Sequence, residues 1–246
     1  MRGVTSRCAW FVRAMLDMVC PRMCAGCGRP VGEEASHICW ECLAGLWPVQ
    51  FPHCAVCGNP VQGKAEGEYT CSMCRGRKRN FDKARSAVHF DGPITHVLHA
   101  FKYTQAAHLA SDLAGLLAVC AEVHYRPADV DAVTFVPLHH QKERERTYNQ
   151  SRLLAGDLAA IIGKPLLSRC LVRWRPTTTQ TALSAVERRA NVKGAFRAMN
   201  GRWLEGRRIL LVDDVMTTGA TVDECADALK QAGAAEVRVV TVARGF

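Results

Sequence analysis

The chain has 246 residues, 48% of them hydrophobic and 22% charged, a balance that belongs to folded globular proteins and excludes a disordered polyelectrolyte. No run approaches the roughly 18 apolar residues of a membrane helix, so no membrane insertion is expected. The formal net charge of +9 favours anionic partners.

This length leaves room for one substantial domain of about 160 residues and a smaller one. Met1 to Cys20 carries Trp10, Phe11, Met15, Leu16 and Val19 near helical spacing, interrupted by Arg13 and Asp17. That pattern predicts a short amphipathic helix over residues 1–23. A signal peptide would need an unbroken apolar core and a small-residue cleavage site.

Eight of the thirteen cysteines then form four Cys-x-x-Cys pairs: Cys24/Cys27, Cys39/Cys42, Cys54/Cys57 and Cys71/Cys74. Repeated knuckles of this kind point to metal rather than disulfides, and to a reducing cytoplasm. Two pairs complete one tetrahedral thiolate site, so residues 24–78 are expected to be a double zinc ribbon holding two structural Zn2+. Sequential pairing is preferred, with an interleaved cross-brace left open by the spacing. Complete thiolate sets leave no position for His37 or His53. A module of about fifty residues could not bury enough apolar surface to fold without the metal. Arg75, Arg77, Lys78 and Arg79 follow as a basic linker, read as a solvated stretch or a nucleic-acid contact.

Residues 84–246 read as alternating strands and helices. Ala84–Phe90 is a predicted strand, and Gly92-Pro93 restarts the chain into a helix through Ile94, Val97, Leu98 and Phe101, closed by Lys102 and Tyr103. Leu109–Val123 is a helix and Asp131–Val136 a strand, followed by the loop Pro137–His140. Glu143–Ile162 is expected as one long helix. Leu166–Val172 and Gly194–Ala198 are further strands, with a polar or helical segment from Arg173 to Asn191 between them. Glu236–Ala243 closes a parallel α/β sheet flanked by helices.

The chain is organised around Ile209–Thr221. Four apolar residues, Ile209–Val212, suit a strand buried on both faces. Asp213 and Asp214 arrive at its end, and Thr217, Thr218, Gly219, Ala220 and Thr221 form a turn that opens a helix over Val222–Gly233. Backbone N–H groups there suit a phosphate, the threonines add hydroxyl donors, and two carboxylates suit the hydroxyls of a sugar diol. The stretch resembles the phosphoribosyl-pyrophosphate (PRPP) motif of type I phosphoribosyltransferases.

The order of motifs extends the likeness: four cysteine pairs, Ala-Phe-Lys-Tyr at 100–103, Val-Pro-Leu-His at 136–139 and Arg-x-Arg-x-Tyr-Asn-Gln at 144–150. Thr-x-x-Gln-x-x-Leu-Ser at 177–184, Arg-x-x-Asn-x-x-Gly-Ala-Phe at 188–196 and the PRPP motif follow. From about Cys24 to Arg244 the chain resembles the ComF/GntX family, double-zinc-ribbon proteins with a phosphoribosyltransferase domain that are associated with DNA uptake in competence. The resemblance implies a type I phosphoribosyltransferase-like fold and PRPP with Mg2+ as ligand. It places Lys102, His139, Arg144, Arg146, Arg173, Arg175 and Arg188 on the pyrophosphate side, where guanidinium groups bind phosphate bidentately. Asn149 and Gln150 are read either with that group or as pins of a helix to a neighbouring loop.

Chemistry at the ribose C1 would pass through an oxocarbenium-like transition state, with no general base identified and no segment that names the acceptor. Two functions from different classes therefore stand. One is a phosphoribosyltransferase or PRPP-binding domain. The other is an accessory that handles single-stranded DNA or a DNA-uptake partner.

Overall fold

The computed structural model describes residues 21–32, 36–61, 63, 67–176 and 184–245. Of the helix expected over residues 1–23, residues 1–20 lie outside the described residues and 21–23 are not helical; residues 177–183, which carry most of the Thr-x-x-Gln-x-x-Leu-Ser motif, also lie outside them. After the short helix α1, Trp40–Ala44, the elements are β1 (Lys83–His89), α2 (Pro93–Tyr103), α3 (Ala110–His124) and β2 (Ala132–Phe135). They continue with α4 (His140–Arg146), α5 (Gln150–Ile161), β3 (Leu171–Arg173), α6 (Ala185–Val192) and β4 (Phe196–Ala198). The chain ends on β5 (Arg208–Met216), α7 (Ala220–Gln231) and β6 (Glu236–Arg244).

Four strands form one parallel sheet in the order β1-β6-β5-β2. The central pair β5 and β6 is buried on both faces, as their apolar runs require. Alternate residues divide between two cores. Leu210, Val212, Val240 and Val242 pack with α2, α3 and α5, while Ile209, Leu211, Val237 and Val239 pack with α7.

The cysteine-rich segment packs directly into these cores. Cys24, Ile38, Cys39, Cys42 and Leu46 pack into the α2/α3 core, and Cys54, Cys57, Cys71 and Cys74 into the α7 core. Between the two ribbons, the chain at 47–49 lies antiparallel along β1: His89 N donates to Trp47 O and Val49 N to Ala87 O. The opposite edge is covered by Pro165–Leu167, which exchanges hydrogen bonds with Val133. Both edges of the sheet are thus blunted against pairing with other chains. Gly58, at φ 66°, sits so close to β1 that a Cβ there would come 2.7 Å from Ala84 O.

Three expected elements take a different form. The long helix 143–162 is two, because Thr147 adopts a left-handed φ of 67° and Asn149 caps α5 by accepting from Arg152 N at 3.3 Å. The strand expected over Leu166–Val172 contributes only the bridge at Leu166. Its continuation, β3, turns away to pair antiparallel with β4 in a separate two-stranded ribbon. Strand β5 also runs past the acidic pair to Met216, because β6 is long enough to pair that far.

Candidate functional site

Asp213 and Asp214 lie at the carboxyl end of β5, where open α/β sheets bind ligands. Asp214 faces the α2 side, and its Oδ2 lies 2.9 Å from Lys102 Nζ with both side chains largely buried. Asp213 Oδ1 accepts from Ser151 Oγ at 2.8 Å, at the start of α5, and from Asp214 N at 3.0 Å. Burial first, and then the neighbouring Asp214 charge, raise the Asp213 carboxyl well above its ordinary range, to about 7.

Gly219 precedes α7 as its N-cap at φ 75°, and no side chain caps that helix. The left-handed φ is what asks for glycine here; a Cβ would come 2.7 Å from Met216 Cε, the movable end of that side chain. Thr218 Oγ1 accepts from Ala220 N at 3.4 Å, and Ala220 is the first helical residue. A turn opening a helix in this way presents backbone N–H groups and the positive end of the helix dipole, an arrangement that suits an anion.

Over these residues opens a cavity of about 290 Å³. Asp213, Asp214, Thr217 and Thr221 line one side, and Lys102, Lys142, Arg146, Arg173 and Arg188 bring positive charge to it. An adjoining hollow of about 210 Å³ shares Lys102, Tyr103, Lys142 and Arg146. Burial lowers the Lys142 ammonium below its usual range, and the charges of Arg173 and Arg146 lower it further. Such a crowd of cations is relieved by a bound polyanion.

Among the expected pyrophosphate-side residues, Lys102, Arg146, Arg173 and Arg188 line the cavity. His139 is 6% exposed at the N-cap of α4, its ring centroid 4.0 Å from that of His140 and tilted against it, and does not line it. Arg144 projects with His140, Glu143 and Thr147 into a separate open hollow. The Arg175 guanidinium donates to Asn191 O at 3.1 Å and Lys193 O at 2.7 Å, which ties down the end of α6. Asn149 and Gln150 act as pins: Asn149 Nδ2 donates to Val136 O and Gln150 Nε2 to Phe101 O.

Ser151 and Lys142 are site residues that sequence reasoning missed. Lys142 and Arg146 stand four apart on one face of α4, whereas Arg144 points away, so helical spacing carried a usable signal.

The cysteine clusters are sequential. The thiols of Cys24, Cys27, Cys39 and Cys42 gather in one group and those of Cys54, Cys57, Cys71 and Cys74 in another, within 4.8 Å of one another in each. The two share Cys-Ala-x-Cys-Gly-x-Pro at 24–30 and 54–60, a thirty-residue repeat. In both, the amide of the first cysteine donates to the carbonyl five residues on, and the glycine amide returns to the first cysteine. Four soft thiolates with backbone donors, such as Cys39 N to Cys24 Sγ at 3.2 Å, fit a closed tetrahedral Zn2+ site. The basic linker divides: Arg75, Arg77 and Lys78 are exposed, but Arg79 is buried and unavailable as a surface contact.

Residues 103–245 match the model of the phosphoribosyl transferase domain family, and residues 15–77 that of the double zinc ribbon domain. Competence protein F of Haemophilus influenzae is 33% identical, over 90% of this chain and 96% of the relative. The chain belongs to the ComF/GntX family. Another family member, the DNA utilization protein YhgH of Salmonella typhimurium, is 32% identical over 91% of this chain and 97% of its own length. Among solved structures, the glutamine PRPP amidotransferase of B. subtilis aligns at 25% identity and a TM-score of 0.37, covering 56% of this chain and 26% of that one.

Proposed function

We propose that the cavity binds PRPP with Mg2+, and that this ComF/GntX member is a cytoplasmic accessory of DNA uptake that retains phosphoribosyl chemistry. The observation that carries the reading is the meeting of the Asp213–Asp214 pair, the Thr217–Thr221 turn and four or more cations around one cavity. The turn takes the ligand's phosphate on its backbone N–H groups and the hydroxyls of Thr217, Thr218 and Thr221, with Gly219 and Ala220 shaping the approach. Asp213 and Asp214 accept from the ribose hydroxyls. Lys102, Lys142, Arg146, Arg173 and Arg188 surround the pyrophosphate, while His139, Arg144 and Arg175 do not line the cavity.

Asp213 reaches its ionised form only near neutrality. Hydroxyl donors arriving with the ligand favour that form. The carboxylate oxygens of the pair are also the hard donors that suit Mg2+, which when bound neutralises charge on the pyrophosphate leaving group.

The relatives' names, Competence protein F and DNA utilization protein, support a role in handling incoming DNA. Among the described residues no helix is long and apolar enough to cross a membrane. Calorimetric titration with PRPP and Mg2+ tests the reading: micromolar binding is expected, and no heat with well-folded protein refutes it.

A second reading is a nucleic-acid- or partner-binding ribbon protein whose phosphoribosyl site does no catalysis. The exposed Arg75, Arg77 and Lys78 beside the second ribbon favour it. A salt-dependent single-stranded DNA titration, weakened by removing those three charges, supports that reading.

A further inference from the structure

The three residues that leave the second ribbon, Arg79, Asn80 and Phe81, reach the turn expected to hold phosphate or the first turn of α7 that follows it. Arg79 Nη2 donates to Met73 O at 3.4 Å, inside the Cys71/Cys74 knuckle, and to Thr218 O at 3.3 Å, inside the turn. Its Nη1 lies 3.8 Å from Asp223 Oδ2 in the first turn of α7. The side chain is 3% exposed, so the charge is held away from water and its partners fix where it sits. Asn80 N donates to Asp223 Oδ1 at 2.8 Å. The Phe81 ring lies under Gly219, where an added Cβ would meet Cε1 at 3.7 Å.

A second tie runs through Arg244, which is wholly buried at the end of β6 beside Met216. Its Nη2 donates to Asn59 Oδ1 at 3.0 Å and lies 3.8 Å from Cys57 Sγ, on the other knuckle of the same ribbon. The next residue, Gly245, donates its amide to Met216 O at 3.0 Å, just before Thr217. The second ribbon therefore reaches the turn from both of its cysteine pairs. The first ribbon packs into the α2/α3 core on the opposite face of the sheet.

We propose that the second ribbon is a strut for the phosphate-binding turn, with Arg79 as the positioning residue, so that metal in the Cys54/Cys57/Cys71/Cys74 cluster and an anion in the turn stabilise one another. This rests on the reading of 217–221 as a phosphate site. Arg79 holds the Thr218 carbonyl turned inward, which leaves the neighbouring N–H groups directed at a ligand. Without metal the knuckle carbonyl at Met73 loses its fixed place, and the guanidinium loses one of its three anchors. Coupling of this kind is reciprocal: whatever factor the metal adds to anion affinity, the anion adds to metal affinity. No conformational change across the sheet is needed.

The test uses the full chain with both zincs loaded, their number checked by elemental analysis. Arg79→Met removes the charge at similar length, and Arg79→Lys keeps a charge but cannot bridge three acceptors. Without ligand, amide hydrogen exchange in the peptide spanning Thr217–Asp223 should speed up about tenfold in Arg79→Met and less in Arg79→Lys, with zinc retained. In the wild type, PRPP with Mg2+ should slow pulsed alkylation of Cys54, Cys57, Cys71 and Cys74 during chelator challenge by roughly fivefold or more. Cys24, Cys27, Cys39 and Cys42 should be unaffected, and Arg79→Lys should lose most of the protection.

Unchanged exchange at the turn, or equal protection of both cysteine clusters by PRPP, would overturn the proposal. If Arg79→Met fails to fold, Arg79→Lys and the wild-type alkylation contrast still decide it. Faster exchange at the turn in a protein that binds no PRPP would uphold the strut and refute the phosphoribosyl reading instead.

Discussion

Asp214→Asn is the most informative single substitution, because this carboxylate pairs with Lys102 and is proposed to accept from the ribose hydroxyls as well. Its Oδ2 is paired with Lys102 Nζ at 2.9 Å, and the two side chains are only 13% and 20% exposed. Replacement by the amide keeps volume but leaves the lysine ammonium without its counter-charge in a mostly dry site. Breaking a fully buried pair costs about 3–5 kcal/mol, and the residual exposure here reduces that to about 1–2 kcal/mol of folding stability. The ligand effect is separate. Ribose hydroxyls lose a charged acceptor and meet an amide donor, a loss of about 1.5–3 kcal/mol, or roughly 10- to 150-fold in affinity.

Differential scanning calorimetry of the apo-protein and isothermal titration with PRPP and Mg2+ read the two duties independently. Lys102→Met in the Asp214→Asn background should restore most of the stability, since no unpaired charge remains, but none of the affinity. An Asp214→Asn protein that binds PRPP within twofold of wild type would refute the diol assignment. A double variant no more stable than the single one would refute the ion-pair account.

Two zinc ions per chain are expected by elemental analysis, and Cys27→Ser and Cys57→Ser should each lose one. The Cys57 change should be the more damaging to solubility, because that thiol lies in the core while Cys27 is exposed. The Asp213 carboxyl binds its proton more tightly folded, at about 7, than in the unfolded chain, at about 3.9, so it makes folding stability fall as pH rises from about 4 to 7. Apo Asp213→Asn should therefore show a flatter stability profile across that window in urea titrations, and an unchanged slope would contradict the burial argument. Asn149→Ala removes both the cap of α5 and the donor to Val136 O. It should cost about 1–3 kcal/mol in chemical denaturation and weaken ligand binding through Lys142 and Arg146, which the same hinge positions.

The paired carboxylates, the glycine-threonine turn and the four cysteine pairs were legible in the sequence because each is a short-range pattern. A Cys-x-x-Cys knuckle or a strand that ends in Asp-Asp and a turn is built by neighbours along the chain, so spacing alone specifies its chemistry. The parallel sheet was legible for a related reason, since both faces of β5 and β6 are buried and their apolar runs are unbroken. The split of residues 143–162 at Thr147 was hidden. Local propensity favours continuing the helix, and only the tertiary anchors of Tyr148, Asn149 and Gln150 on Phe101 O and Val136 O make the break worthwhile.

What the sequence could not specify is which distant residues complete the site. Ser151 meets Asp213 across 62 positions, and Arg79 meets Thr218 across 139. Nothing in Arg75–Arg79 distinguishes the one buried arginine from its three exposed neighbours. That choice is made by packing, because β1 lies beside β6 and sets the last knuckle of the ribbon against the start of α7. Sequence alone therefore determined the chemistry of each motif. The tertiary structure decided that the second ribbon and the turn share one core, since only the assembled sheet brings those two segments within hydrogen-bonding distance.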